Sequence, residues 1–286
     1  MTTQRTVVVG IDGSPGSRTA LRWALAEAQL WSTPLEVLHA RSESLAVLPA
    51  DRDPERVDAG SSDAAAVQLI DRELDAVGAD LATVEIKQTP AHGSVARALV
   101  EASRHAALVV VGRRGIGGFP RELIGPKAVQ LAHHGTSPVA VVPDGWTGDG
   151  RGIVVGVDGS AHAAHALTWA YEEAQRRSAR LTALLAWGLL DQYHLEDDAR
   201  FDPTYSAQDA REFVEHAVRS ALDGRAADVT PAVVNDLPAR ALVDAAAGAE
   251  LLVVGARGLG GFSGLLLGSV SQRCLAHSVC PTVLVR

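Results

Sequence analysis

Short runs of β-branched and aliphatic residues alternate along this chain with longer stretches whose apolar positions recur at helical spacing. Two of the runs, Leu108-Val109-Val110-Val111-Gly112 and Leu251-Leu252-Val253-Val254-Gly255, contain no polar residue at all. Runs of that kind belong to parallel strands buried on both faces. The pattern predicts strands near 6–12, 35–40, 82–88, 107–112 and 138–143, with helices near 16–31, 60–78, 93–105 and 126–134. It predicts a second set of strands near 152–158, 180–187, 228–235, 250–255 and 281–286, again with helices between. Strand and helix in alternation, joined by right-handed crossovers, give a doubly wound α/β fold with a parallel sheet. Ligands bind such sheets beyond the carboxyl ends of the strands, where the strand order reverses.

The second set of elements is a copy of the first. Val7-Val8-Val9-Gly10-Ile11-Asp12-Gly13-Ser14 returns as Ile153-Val154-Val155-Gly156-Val157-Asp158-Gly159-Ser160. Ala20-Leu21-Arg22-Trp23-Ala24 returns as Ala166-Leu167-Thr168-Trp169-Ala170. Further on, LVVVGRRGIGGFPRELIG at 108–125 matches LLVVGARGLGGFSGLLLG at 251–268. A repeat this long specifies two tandem domains, 1–143 and 152–286, joined by a polar, glycine-rich linker at 144–151.

Composition narrows the function classes. Of 286 residues, 47% are hydrophobic and 21% charged, enough for full cores. The net charge of −8 excludes general binding to nucleic acid, which asks for a basic face. An acidic protein that holds phosphate must do so with local donors. Cys274 and Cys280 are too few for a disulfide framework and lack metal-ligand spacing. Both are read as buried structural thiols of a reducing compartment. The first strand follows a short N-terminus without signal-peptide architecture, and no apolar run reaches the roughly 18 residues of a membrane span. A cytoplasmic location is expected, with no membrane partner.

The strongest candidate chemistry lies in the matching glycine frames. Gly255-Ala256-Arg257-Gly258, nine residues, then Gly268-Ser269 leaves the end of one continuous strand and opens a helix. A helix N-terminus offers unpaired N–H groups and a favourable dipole to an anion. Ser269 is expected to cap that helix or to give its hydroxyl to a phosphate, and Gly258 to permit the turn. The first copy, Gly112-Arg113-Arg114-Gly115 to Gly125-Pro126, has proline in place of the serine. Proline supplies neither N–H nor hydroxyl, so the first copy is expected to be the weaker phosphate site, with Lys127 a partial substitute. Arg114 and Arg257 hold equivalent places and are candidates to neutralise phosphate charge.

Asp12 and Asp158 end the first strand of each half inside Asp-Gly-Ser turns, poised either for a ribose or adenine hydrogen bond or for an Asx-turn. Ser14 and Ser160 are the expected helix caps. Trp23 and Trp169 are read as core, and the pairs His162/His165 and His133/His134 as surface groups. The frames are neither the dinucleotide fingerprint nor a Walker A loop. No nucleophile elbow or paired-carboxylate spacing occurs, so no catalytic residue is assigned.

These residues together resemble the universal stress protein family in its tandem, ATP-binding form. The family signature of Gly, two residues, Gly, nine residues, Gly and Ser or Thr is met by Gly255, Gly258, Gly268 and Ser269. The V-G-x-D-G-S opening and the closing C-P-x-x-L-V strand fit as well. The resemblance implies five-stranded parallel sheets of order 3-2-1-4-5 and ATP as ligand, with Mg or Mn on the phosphates. It implies contacts from Asp158, Gly159, Ala186, Gly255, Arg257, Gly258, Gly268, Ser269 and Val270. The first-half counterparts would be Asp12, Gly13, Ala40, Gly112, Arg114, Gly115 and Gly125. It also implies pairing of the two halves as an internal pseudo-dimer, and a further homodimer as an option. A nucleotide-dependent regulatory or stress-response protein is the leading expectation. The alternatives are a weak metal-dependent ATPase or nucleotide hydrolase, and a scaffold whose first half has lost nucleotide. The divergent middles at 41–60 and 188–206 are expected to cover the crevices.

Overall fold

The computed structural model describes residues 6–41, 59–78, 83–115, 124–187, 206–225, 228–259 and 266–286. The middles at 41–60 and 188–206 fall almost wholly outside them. Contacts divide the chain into two compact units, Met1–Gly145 and Trp146–Arg286. Among the described residues no helix is long and apolar enough to cross a membrane.

Unit 1 runs β1 (Thr6–Gly10), α1 (Pro15–Trp31), β2 (Leu35–Arg41), α2 (Ala59–Val77), β3 (Ile86–His92), α3 (Val95–Ala102), β4 (Ala106–Gly112), α4 (Pro126–His134) and β5 (Val139–Val142). Its strands lie in the order β3-β2-β1-β4-β5, all parallel. Unit 2 repeats the plan with β6 (Ile153–Gly156), α5 (Ala161–Arg177), β7 (Leu181–Ala186), α6 (Ala207–Ala221), β8 (Val229–Val234), α7 (Pro238–Ala246), β9 (Leu251–Gly255), α8 (Ser269–His277) and β10 (Thr282–Val285). Its order is β8-β7-β6-β9-β10, again parallel. Both units therefore have the expected 3-2-1-4-5 arrangement.

The continuous apolar runs are the central strands. Val7, Val8 and Val9 of β1 and Leu108, Val109 and Val110 of β4 are fully buried, as are Leu251, Leu252 and Val253 of β9. Central strands have helices on both faces, so their sequences run apolar through successive positions and do not alternate. Trp23 is sealed in the unit 1 core, while its repeat Trp169 is only half-buried.

The first helix of each unit is built identically. Ser14 accepts the N–H of Ser17 and Ser160 that of Ala163, and each helix ends on a left-handed serine, Ser32 or Ser178. Gly13 and Gly159 hold φ of +81° and +83°, a conformation that a side chain would strain.

One strand departs from its expected span. β3 was expected near 82–88 and runs instead to His92, straight through Pro90. Its only partner among the described residues is β2, with His39 opposite Pro90. An outer strand tolerates a missing donor on its open side, so the proline does not end it.

Candidate functional site

In each unit the loops after the first and fourth strands leave neighbouring strands, β1 beside β4 and β6 beside β9, toward helices that lead in opposite directions along the sheet. This is where the strand order reverses.

In unit 2, Asp158 spans the two loops. Its Oδ1 accepts the N–H of Ser160 at 2.9 Å and its Oδ2 accepts the N–H of Leu259 at 3.2 Å. The carboxylate thus forms the Asx-turn and also braces the glycine loop across the crevice. A Cβ on Gly258 would overlap Asp158 Oδ2. Gly258 has no positive φ, so its glycine is required by the close approach of Asp158 and not by a turn. Ser160, while capping α5, donates its hydroxyl to the Arg257 carbonyl at 3.2 Å.

Gly255 serves packing. A Cβ there would stand 2.8 Å from the carbonyl carbon of His162, so the first turn of α5 lies directly against the end of β9. The N–H of Gly268 donates to the Ala256 carbonyl at 2.8 Å, closing the loop on itself. That donor is spent within the loop. Gly268, not Ser269, is the N-cap, and no side chain caps the helix. Ser269 is instead the exposed first residue of α8. The first intrahelical bond is Gln272 N–H to the Gly268 carbonyl, which leaves the N–H groups of Ser269, Val270 and Ser271 without an acceptor inside the helix.

Sequence reasoning missed Ser271. Its hydroxyl donates to the Gly255 carbonyl at 2.6 Å and ties the start of α8 to the end of β9. Its repeat in unit 1 is Ala128, so the difference was visible in the alignment of the halves. Ala186 closes β7 and Ala40 lies near the end of β2, both at the carboxyl ends of strands beside the crevice.

Unit 1 keeps the frame. Asp12 Oδ1 accepts the Ser14 N–H at 3.1 Å, and a Cβ on Gly115 would overlap Asp12 Oδ2. Gly112 packs against Gly16 of α1, and the Gly125 N–H closes its loop on the Arg113 carbonyl at 2.8 Å. Helix α4 starts at Pro126, so only Lys127 and Ala128 offer N–H groups in its first turn. A cavity of about 480 Å³ opens there, lined by Gly93, Ser94, Val95, Ala96, Pro126, Lys127 and Gln130. Arg114, expected to face phosphate, is paired with Asp144, a residue the sequence reading put in the linker.

Charge differs between the copies. Burial, then Arg257, His165 and Arg286, hold the His162 imidazole below its ordinary value, with Asp158 acting against them. Burial pushes the Cys274 thiol up to about 12 and raises Cys280 too, so both stay protonated and inert. Among the described residues no three His, Cys, Asp or Glu side chains converge to hold a metal.

The sequence model of the universal stress protein family matches the chain twice, over residues 4–143 and 151–286. A universal stress protein of Mycolicibacterium smegmatis is 33% identical over 302 residues, which takes in 99% of this chain and 98% of that protein. One from Mycobacterium tuberculosis is 32% identical over 294 residues, or 98% of this chain and 96% of that protein. Among solved structures, a universal stress protein from Archaeoglobus fulgidus shares the fold with a TM-score of 0.71 at 16% identity, covering 100% of this chain and 99% of that one. Two matches to one family, with relatives alike along their whole length, establish that the chain belongs to the universal stress protein family.

Proposed function

We propose that unit 2 binds ATP at the loop between β9 and α8, and that the protein is a nucleotide-dependent regulator in the stress response. The observation that carries this reading is the first turn of α8. It offers the N–H groups of Ser269, Val270 and Ser271 and the Ser269 hydroxyl beside Arg257, on a loop held in place by Asp158. Backbone donors at a helix start suit phosphate in an otherwise acidic protein. Asp158, with Gly159 and the end of β7 at Ala186, would meet the nucleoside. A divalent ion, Mg or Mn, would travel on the phosphates, because the described side chains form no cluster to hold it.

Unit 1, with Asp12, Gly13, Ala40, Gly112, Gly115 and Gly125 in the same roles, is the weaker site. Pro126 removes one N–H and one hydroxyl. At about 1.5–3 kcal/mol for each hydrogen bond to a charged group, the pair is worth about two to four decades of affinity.

Calorimetric titration of the full-length chain with ATP tests the reading. Ser269→Pro is expected to weaken the tighter site by about two to four decades, and Pro126→Ser to tighten the weaker one. An unchanged tight site in Ser269→Pro would refute it. Nucleotide recovered intact from purified protein supports regulation. Repeated turnover to ADP would favour the alternative, a weak metal-dependent ATPase.

A further inference from the structure

The glycine loops carry an arginine at the same place, Arg114 and Arg257, in surroundings of different charge. Arg114 is committed to Asp144. Its Nε donates to Asp144 Oδ2 at 2.5 Å, and its Nη2 reaches the same oxygen. The second carboxylate oxygen, Oδ1, is shielded from solvent without a hydrogen-bond partner. It lies 2.7 Å from where a Cβ on Gly16 would stand.

Gly16 belongs to the first turn of α1. The Asp144 carboxylate therefore fills the space that a side chain at residue 16 would need. A negative charge is also favoured at that end of the helix. Asp144 acts on Arg113 as well: burial lowers the proton affinity of that guanidinium and the Asp144 charge raises it. One carboxylate thus answers the two loop arginines.

Unit 2 is built the other way. The residue aligned with Gly16 is His162, and a side chain is tolerated there. Arg257 acts on both His162 and Arg286, and the same His162 imidazole also feels His165 and the Asp158 carboxylate. His165 is held there through its Nδ1, 3.0 Å from the Arg286 carbonyl. Where unit 1 places an anion against the loop arginine, unit 2 places the Arg286 guanidinium and the His162 imidazole.

We propose that Asp144 is the specificity-determining residue of the unit 1 loop, a tethered carboxylate that occupies Arg114 in place of a ligand phosphate and biases this crevice toward the uncharged nucleoside. The inference rests on reading the loops as nucleotide sites. A phosphate entering unit 1 must displace a carboxylate that is already in position, and the displaced charge then repels it. Adenosine meets neither cost. Pro126 lowers phosphate affinity by removing donors, whereas Asp144 does so by engaging one that remains.

The test titrates ATP and adenosine against the full-length chain with unit 2 closed by Gly258→Ala. Adding Asp144→Asn keeps the shape and removes the charge. ATP is expected to tighten by about tenfold or more, as one charge-assisted hydrogen bond is regained, with adenosine unchanged. Adding Arg114→Ala should abolish the gain. The proposal is overturned if ATP does not respond, or if adenosine tightens alongside it. If ATP binds the unmutated chain but neither ligand binds Gly258→Ala, the proposal fails and the unit 2 site stands. If the unmutated chain binds no ATP, the underlying reading fails with it. The salt dependence of ATP binding to the unmutated chain gives a second measurement free of folding effects. Affinity at unit 2 should fall as KCl rises and affinity at unit 1 should not. Equal slopes would overturn the proposal.

Discussion

At the scale of single residues, the signature glycines prove to be glycine for different reasons. Gly255 admits the backbone of α5, Gly258 admits the Asp158 carboxylate, and Gly268 has nothing closer than 3.6 Å to the position of an added Cβ. A single substituent therefore separates their roles. Gly255→Ala is expected to destabilise unit 2 by about 1–3 kcal/mol, because backbone must move to make room. Gly258→Ala should displace Asp158 and abolish tight ATP binding at comparable loss of stability. Gly268→Ala should cost at most about 1 kcal/mol, the penalty of a poorer helix cap. Denaturant unfolding with parallel ATP titration ranks the three, and a Gly268→Ala variant as damaged as Gly255→Ala would contradict the assignment. The frame itself was legible in the sequence because its spacing is rigid. The steric partner of each glycine was not, since Asp158 and Gly258 are brought together only by the sheet. Asp144 was illegible for the opposite reason: its polar, glycine-rich neighbours read as linker, and only the folded loop brings it to Arg114.

Among the secondary-structure elements, the strands lie close to the spans that the sequence predicts, with β3 the exception. Continuous apolar sequence leaves β4 and β9 little alternative. β3, with Lys87, Gln88 and Pro90 in its run, looked finished before it was. The same strand takes part in a polar cluster around Glu36, whose place in unit 2 is taken by Thr182. Glu36 of β2 is buried and accepts hydrogen bonds from Lys87 at 3.1 Å and Thr89 at 2.9 Å, with His105 Nε2 at 3.3 Å. Burial alone would raise the Glu36 carboxyl, and these partners outweigh it and hold it below its ordinary value of 4.5. A carboxyl lowered on folding adds stability that is fully present above its ordinary value and is lost as pH falls through the folded one. Acid should therefore loosen β2–β3 pairing in unit 1. Unit 2 places Thr182 opposite Thr230 at the matching register and should lack this dependence. Thermal melts across pH 3 to 6 check it: Glu36→Gln should flatten the acid limb assigned to unit 1, and an unchanged limb would exclude Glu36 as its source.

The molecule as a whole consists of two copies of one fold that differ at the starts of α4 and α8, where the proposed phosphate sites lie. The inner strands, the caps of α1 and α5 and the Asp-Gly-Ser turns match closely, while Pro126 against Ser269, Ala128 against Ser271 and Gly16 against His162 do not. Inequality of this kind has a readout that needs no mutation. At an ATP concentration about 100-fold above the tighter dissociation constant, the bound unit gains about 2.7 kcal/mol. Amide hydrogen exchange should then slow across β6, β9 and α8 and leave β1, β4 and α4 as they were. Equal protection of both units would mean that Pro126 and Asp144 do not discriminate. The prolines of the outer strands have a consequence of a separate kind. Pro90 in β3 and Pro231 in β8 each interrupt the row of backbone donors on a strand that would otherwise be a template for another chain. A strand arriving at either edge meets a missing donor and a ring, so β3 and β8 resist the strand addition from which fibrils grow.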